Sequence, residues 1–163
     1  VTPMAMLRAV SSVGVGGRMF VPHVFSEAKT VEAAGEAETD GFRPARQSVS
    51  YAAQPPKIIE MTAEENEYVL RGMSGVVNGG TARAIKIDGF EIAGKTGTAQ
   101  VVAVGKDVGA NRDHAWFVSF APAHKPEIAV IALIENSGFG GKNAAPAARA
   151  LYDVYLSQRQ SSP

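Results

Sequence analysis

Three strand-like segments in the second half of the chain restrict its fold more than any other feature of the sequence. They span about residues 91–104, 114–121 and 127–135, and the third is an almost unbroken apolar run. Short polar links separate them, which favours antiparallel pairing, because parallel neighbours need a long crossover connection. The apolar run indicates a strand that is buried on both faces. We therefore predict an antiparallel sheet of three strands.

Helical patterns lie before and after these segments, so the predicted fold class is α+β with helices flanking the sheet. Residues 2–3, a Thr-Pro pair, form a typical helix start. Thr62 with Glu65 three residues later fits a capping box that begins a second helix. Near the C-terminus, Asn143 can cap a last helix that has Pro146 in its first turn.

The last helix and the stretch before it carry two further expectations. Its apolar side is expected to consist of Ala147, Ala148, Leu151, Val154 and Tyr155. The glycine-rich stretch at residues 138–141 is not followed by the Gly-Lys-Ser/Thr element of a phosphate-binding loop, because Asn143 stands after Gly141-Lys142. We therefore interpret it as a flexible connector between the last strand and the last helix.

Residues 26–56 break the periodic pattern. Ala, Glu, Gly, Thr and Ser dominate this stretch, and Pro55-Pro56 closes it. A loop of this length without secondary structure is unusual in a compact domain. It is predicted to be a long loop or insertion, with mobility or a role as a functional lid as the two alternatives.

Composition excludes several classes of function. Lys plus Arg number 16 and Asp plus Glu number 16, so net charge favours neither nucleic acid nor an anionic membrane as a partner. The chain has no cysteine, which rules out disulfides, thiolate metal sites and cysteine nucleophiles. Its three histidines have no metal-ligand spacing, and we expect neither a metal nor a cofactor. The chain begins at Val1 in helix-like sequence, which we interpret as a fragment or a processed protein.

One short stretch of the first predicted strand concentrates the residue types of a reaction site. Lys95, Thr96 and Thr98 place a cation and two hydroxyls on an extended segment, and Gly94 and Gly97 lie beside them. Glycine weakens a strand and often marks close approach by a ligand or another backbone. A lysine at a strand edge is more often a solvated charge that guards the edge. The two glycines favour a receptor for a carboxylate instead.

The spacing also predicts how these side chains point. Thr96 and Thr98 should share one face of the strand and Lys95 the other, because side chains alternate along a strand. If a substrate lies alongside, Gly97 allows its approach. The backbone N–H of Thr98 would then point at an oxyanion, as donors do in acyl transfer.

Several short motifs, taken in order, resemble the C-terminal part of the transpeptidase domain of class B penicillin-binding proteins, the monofunctional group similar to penicillin-binding protein 2. The stretch at residues 94–100, Gly-Lys-Thr-Gly-Thr-Ala-Gln, matches the third motif of that family, in which Lys-Thr-Gly is a signature. The other matching segments are Thr2-Pro3, Gly16-Gly17, Pro22-His23, the stretches 73–77, 80–82 and 114–117, Ala121-Pro122, Asn136 and Ala144-Ala145-Pro146. The resemblance covers nearly the whole chain except about residues 27–55.

The resemblance implies a role for each residue of the third motif. Lys95 would hold the substrate carboxylate and assist proton transfer near the serine of the second motif. Thr96 and Thr98 would bind the carboxylate of a D-Ala-D-Ala stem peptide or of a β-lactam. The Thr98 N–H would form half of the oxyanion hole. The fold implied is the C-terminal part of the penicillin-binding protein and serine β-lactamase-like transpeptidase fold.

One departure from the family is large. The chain has no S-x-N motif, and its single match to the S-x-x-K motif of the nucleophile, Ser26-Glu27-Ala28-Lys29, comes after segments that resemble sequence downstream of both family motifs. Both lie upstream in such proteins. We therefore expect residues 1–163 to be the C-terminal part of a transpeptidase domain and to be inactive alone. The partners implied are the stem peptide, β-lactams, the remainder of the domain and cell-wall elongation proteins. The location implied is extracytoplasmic, on the periplasmic side of the bacterial inner membrane.

The third predicted strand would have an unpaired edge, since the family sheet has five strands of which the last pairs with the first. An unpaired strand edge can form backbone hydrogen bonds with a strand of another molecule, so we expect the chain alone to aggregate or self-associate. Two alternatives to the transpeptidase are a non-catalytic module that senses β-lactams or serves as a cell-wall-synthesis scaffold, and a fragment of a serine β-lactamase.

Overall fold

The computed structural model describes residues 1–24, 54–101 and 112–161, which contain three helices and five strands. Most of the predicted loop at 26–56 and the end of the first predicted strand lie outside the described residues. The elements in chain order are α1 (Pro3–Gly14), β1 (Arg18–Met19), β2 (Lys57–Ile58), α2 (Ala63–Asn78), a 3₁₀ turn (Arg83–Ile85), β3 (Ala93–Ala99), β4 (His114–Ala121), β5 (Ile128–Ile134) and α3 (Gly140–Ser161).

The predicted antiparallel sheet of three strands is confirmed, with the strand order β3-β4-β5. Ala93 lies opposite Phe120 and Ala99 lies opposite His114. The α+β class with flanking helices is likewise confirmed. Among the described residues, β3 and β5 each have one edge without a strand partner. Self-association through the β5 edge stays a prediction.

Each face of the sheet covers its own hydrophobic core, because alternate residues of β4 point to opposite sides. Phe117 lies in the core shared with α3, together with Tyr152. Phe120 lies in the core shared with α1 and α2, which includes Leu70 and Met73. Both phenylalanines have no exposed surface. The two cores hold β4 from both sides and so determine where β3 lies.

The prediction that the third strand is buried on both faces is wrong. In β5 only Val130 and Ala132 are buried, whereas the other five residues are at least partly exposed. Val130 and Ala132 face the α3 core, opposite Ser119 and Phe117. The other face of β5 is only half-covered, since the helix packed there, α1, has 12 residues.

The helix starts of α1 and α2 form as predicted. Thr2 Oγ1 accepts a hydrogen bond from Ala5 N at 3.3 Å. The capping box of α2 is complete, with Glu65 N donating to Thr62 Oγ1 at 3.1 Å and Thr62 N donating to Glu65 Oε2 at 2.7 Å. The backbone hydrogen bond from Thr62 holds the pKa of the Glu65 carboxyl below its ordinary value.

The expected cap of the last helix is wrong, and its expected apolar side is confirmed only in part, since Ala147, Ala148 and Tyr155 pack on the core and the other two residues do not. Helix α3 begins at Gly140 rather than after Asn143, whose side-chain amide donates to Ser137 O. The residues expected on its apolar side include Leu151 and Val154, which are 52% and 54% exposed. The buried residues are Gly140, Ala144, Ala145, Ala148 and Tyr152.

Small side chains explain this orientation of α3. A Cβ built at Gly140 would overlap the carbonyl oxygen of Trp116 and lie 2.5 Å from that of Gly97. A glycine at this position therefore lets the helix approach the sheet closely. The buried alanines continue the close approach along the helix. The interpretation of residues 138–141 as a flexible connector is thus wrong for Gly140 and Gly141, which begin the helix.

A short ribbon, in which β1 pairs antiparallel with β2, contacts α1. The sequence at residues 19–25 is apolar and extended in character, and Pro22 favours an edge or a short strand there, so β1 overlaps this prediction only at Met19. Residues 57–61 are too short to predict more than a lead-in to the next helix. The ribbon brings Met19 opposite Lys57, and so holds together the two ends of the undescribed segment.

Replacing Tyr152 with phenylalanine tests the main core. The Tyr152 hydroxyl donates to Ser119 Oγ at 2.8 Å, and both residues are fully buried. Removing the hydroxyl leaves the buried Ser119 without this partner, so we expect a loss of about 1–2 kcal/mol in the free energy of unfolding at neutral pH. Denaturant unfolding measures this loss.

The same variant should change the alkaline limit of stability. Burial raises the pKa of the Tyr152 phenol to about 12. Since the unfolded phenol ionises near pH 10, the contribution of the neutral form is complete below pH 10 and is lost as the pH rises towards 12. This loss is about 2–3 kcal/mol, and Tyr152→Phe should not show it. Tyr68→Phe, at an exposed position on α2, is the control; equal alkaline slopes in all three proteins would contradict the prediction.

Candidate active site

The stretch from Lys95 to Thr98 lies in the middle of β3, which is an edge strand within the described part of the sheet. Lys95 lies opposite Val118 and Thr96 lies opposite Phe117. Because Phe117 faces the α3 core, Thr96 and Thr98 lie on the α3 side and Lys95 on the α1 side. The predicted division of these side chains between the two faces is confirmed.

The Lys95 ammonium is exposed and lies close to the strand itself. Its Nζ donates a hydrogen bond to Thr96 O at 2.7 Å. Across the described ranges, no carboxylate forms an ion pair with this ammonium. An exposed ammonium without a carboxylate partner in the described ranges can bind an anionic group that lies along β3.

The Thr96 hydroxyl has a side-chain partner that sequence reasoning did not place in the candidate site. Thr81 Oγ1 lies 2.9 Å from Thr96 Oγ1, a hydrogen bond in which either oxygen can be the donor. Thr81 follows the end of α2 and precedes the 3₁₀ turn. A hydroxyl-bearing residue directly after the Gly79-Gly80 helix stop was the available sequence signal, but only the fold brings it to β3.

Two cavities meet at β3, one on each face. The cavity on the α1 side has a volume of about 390 Å³, and that on the α3 side about 430 Å³. Both include Thr96, Gly97 and Thr98 in their walls. The first is completed by Val1, Met6, Lys95, Ala99, Trp116 and Val118, and the second by Thr81, Phe139, Gly140, Gly141 and Lys142.

The first turn of α3 forms one wall of the second cavity. A Cβ built at Gly141 would overlap the carbonyl oxygen of Thr81 and lie 3.4 Å from Cγ2 of Thr96. Gly140 contacts the backbone of Gly97 in the same way. The two glycines therefore let the α3 N-terminus, the Thr81 segment and β3 meet without intervening side chains. Sequence reasoning missed this role because it placed both glycines in a connector.

Two of the histidines, His114 and His124, make contacts that join segments of the fold. His114 Nδ1 accepts a hydrogen bond from Asn136 N at 3.0 Å, which joins the start of β4 to the residues after β5. His124 Nε2 lies 3.7 Å from Glu91 Oε2 at the surface. Within the described ranges no group of His, Asp and Glu side chains could hold a metal ion. None of the described helices has the length and apolarity needed to cross a membrane.

Comparisons with known proteins place this geometry in a family. Residues 1–153 match the family model described as the penicillin binding protein transpeptidase domain. The chain is 34% identical, over 97% of its length, to the peptidoglycan D,D-transpeptidase MrdA of Haemophilus influenzae and covers 24% of that protein. The chain thus spans about a quarter of the length of the curated relatives it matches.

Solved structures show the same likeness. One is penicillin-binding protein A from M. tuberculosis as an imipenem acyl-enzyme complex, with a TM-score of 0.70 and 26% identity over 96% of this chain and 31% of that one. Another is Pseudomonas aeruginosa PBP2 in complex with WCK 5153, with a TM-score of 0.65 and 33% identity over 96% of this chain and 30% of that one. The arrangement of β3, β4, β5 and α3 is therefore shared with transpeptidase domains.

Proposed function

This chain belongs to the penicillin-binding protein transpeptidase domain family, and on that premise we propose that residues 1–163 form the C-terminal part of a peptidoglycan D,D-transpeptidase domain. The observation that carries the proposal is the position of the Lys95–Thr98 stretch on an edge strand between two cavities. The reaction proposed is the cross-linking of D-Ala-D-Ala stem peptides through a serine acyl-enzyme. β-Lactams would acylate the same serine.

Charge and hydroxyl groups along β3 support a carboxylate site. The Lys95 ammonium attracts a carboxylate, and hydrogen bonds in which one group is ionised are roughly twice as strong as neutral ones. Thr96 and Thr98 add hydroxyl donors at a spacing that keeps them on one face. In this proposal the three side chains bind the terminal carboxylate of the stem peptide, or the carboxylate of a β-lactam. Gly97, between the threonines, leaves room for the substrate backbone.

The edge position of β3 supports the oxyanion role of Thr98. Backbone groups of residues two apart in a strand point to the same side. Thr96 O accepts from Lys95 Nζ, so this carbonyl is open to a group other than β4. The Thr98 N–H, two residues on, would point to the same side and donate to the oxyanion of the tetrahedral intermediate.

In this proposal the nucleophile belongs to a part of the domain other than this chain. The single S-x-x-K match, Ser26 to Lys29, follows Thr2-Pro3 and Pro22-His23, which resemble sequence downstream of the second motif, whereas the nucleophile motif of the family lies upstream of it. In the proposed reaction the nucleophilic serine attacks the penultimate D-Ala carbonyl, and the terminal D-Ala leaves with a proton. Lys95 assists proton transfer near the serine of the S-x-N motif. We propose that the whole protein acts outside the cytoplasm, on the periplasmic side of the membrane, together with cell-wall elongation proteins.

Labelling with fluorescent penicillin tests the proposal on the protein that contains this chain and the remainder of the domain. We expect a stable covalent adduct, competition by unlabelled β-lactam, and release of D-Ala from a D-Ala-D-Ala peptide. A folded protein that gives no adduct would contradict the proposal. An adduct without peptide turnover would indicate the sensing or scaffold module, and rapid loss of the adduct a β-lactamase.

A further inference from the structure

We propose that Thr81 is a positioning residue of the carboxylate site, whose hydroxyl donates a hydrogen bond to the Thr96 hydroxyl and directs the Thr96 proton to the bound carboxylate. The inference rests on the proposed function, since it concerns how the same site binds its ligand. It adds a residue from outside β3 to that site.

The proton count at Thr96 sets the direction of this hydrogen bond. A threonine hydroxyl has one O–H and two lone pairs, whereas an ionised carboxylate only accepts. When Thr96 donates to the carboxylate, its single proton is used. The 2.9 Å contact with Thr81 Oγ1 then requires Thr81 to be the donor. Thr81 thus donates to Thr96, and Thr96 donates to the carboxylate of the ligand.

The hydrogen bond from Thr81 to Thr96 stabilises the bound carboxylate in two ways. A hydroxyl that accepts a hydrogen bond becomes a better donor, because chains of hydrogen bonds polarise one another. The contact also restricts the rotation of the Thr96 side chain before the ligand arrives, so less side-chain entropy is lost on binding.

The backbone around Thr81 is held firmly enough for this role. Ala82 is fully buried, and its N–H donates to Val76 O of α2 at 3.0 Å. On the other side, Gly80 packs against α2, where a Cβ would lie 2.9 Å from Gly75 O. Gly141 of α3 contacts the Thr81 carbonyl. Thr81 is therefore fixed between the end of α2 and the start of α3, while its side chain faces the cavity of about 430 Å³.

The competing explanation is a purely structural contact that ties α2 to β3. Such a contact would affect every ligand of the site equally. A positioning role instead acts only on ligands that have a carboxylate. The two explanations differ in what happens when the carboxylate is blocked.

The test compares a penicillin with its methyl ester on the protein that contains this chain and the remainder of its domain. The variants are Thr81→Val and Thr81→Ala, which remove the hydroxyl, and Thr81→Ser, which keeps it. We expect the loss of one neutral hydrogen bond to slow acylation by the free acid about 3- to 10-fold in Thr81→Val and Thr81→Ala. The rate of acylation by the ester should change less than about twofold in these two variants. Thr81→Ser should be acylated within about twofold of the wild-type rate by both reagents. Melting temperatures confirm that each variant is folded.

Each outcome decides the inference. Equal slowing with acid and ester assigns Thr81 a structural role and overturns the proposal, as does a Thr81→Val protein that reacts like the wild type. In both cases the wild type is labelled, so the proposed function stands. A wild-type protein that is not acylated at all overturns the proposed function and this inference together.

Discussion

Replacing Lys95 with alanine is expected to lower the rate of acylation by fluorescent penicillin by about two orders of magnitude or more. Two losses combine in this variant. The carboxylate loses its cationic partner on β3, and the proposed proton transfer loses the ammonium that assists it. Rapid-quench labelling of the protein that contains this chain and the remainder of its domain measures the rate.

Two further variants separate these losses. Lys57→Ala removes a lysine from β2, away from both cavities, and should be labelled at the wild-type rate. Lys95→Arg keeps a cation that binds carboxylates but does not release its proton. It should therefore retain carboxylate binding better than Lys95→Ala while acylation stays slow. If Lys95→Ala is labelled at the wild-type rate, Lys95 takes no part in acylation.

Replacing Gly140 with alanine is expected to destabilise the protein by about 3 kcal/mol or more, because an added methyl group has no space to occupy. Its Cβ would overlap Trp116 O and press on Gly97, and both are backbone groups of the sheet that cannot rotate away. Relief requires α3 to move off β3, which would also disturb Thr96 and Thr98. Denaturant unfolding and penicillin labelling should therefore both report the change.

Gly72→Ala provides a matched control in another helix. Gly72 lies inside α2, and a Cβ there would meet no atom within 4 Å. We expect this variant to gain up to about 1 kcal/mol, because alanine loses less backbone entropy than glycine in a helix. If Gly140→Ala unfolds at the same denaturant concentration as Gly72→Ala, the close approach of α3 does not constrain the fold.

The sheet and the helix starts could be predicted because their signals are local. Strand-like segments separated by short polar links indicate β3, β4 and β5, and their antiparallel pairing follows from the length of the links. The capping box of Thr62 and Glu65 involves residues of a single turn. The Gly-Lys-Thr-Gly-Thr stretch marks the candidate site in the same way, since spacing along one strand decides which side chains share a face.

The errors concern features that depend on packing between distant segments. Leu151 and Val154 do not lie on the buried side of α3, although both are apolar. The buried side continues instead through Ala144 and Ala145, which allow closer approach to the sheet than larger side chains would. The predicted burial of β5 is too high, because an apolar sequence shows only that a strand can be buried. Whether its residues are buried depends on the helices that pack on each face of the sheet.

The residue order alone is enough to predict the strand that carries Lys95, Thr96 and Thr98, the alternation of their side chains and the resemblance to a family. The hydrogen bond between Thr81 and Thr96, 15 positions apart, and the entry of the α3 N-terminus at Gly140 and Gly141 become visible only in the folded protein. The two kinds of feature differ in the distance along the chain over which their causes act. Backbone geometry and side-chain periodicity act over a few residues, whereas a contact between separate segments depends on how every element between them packs.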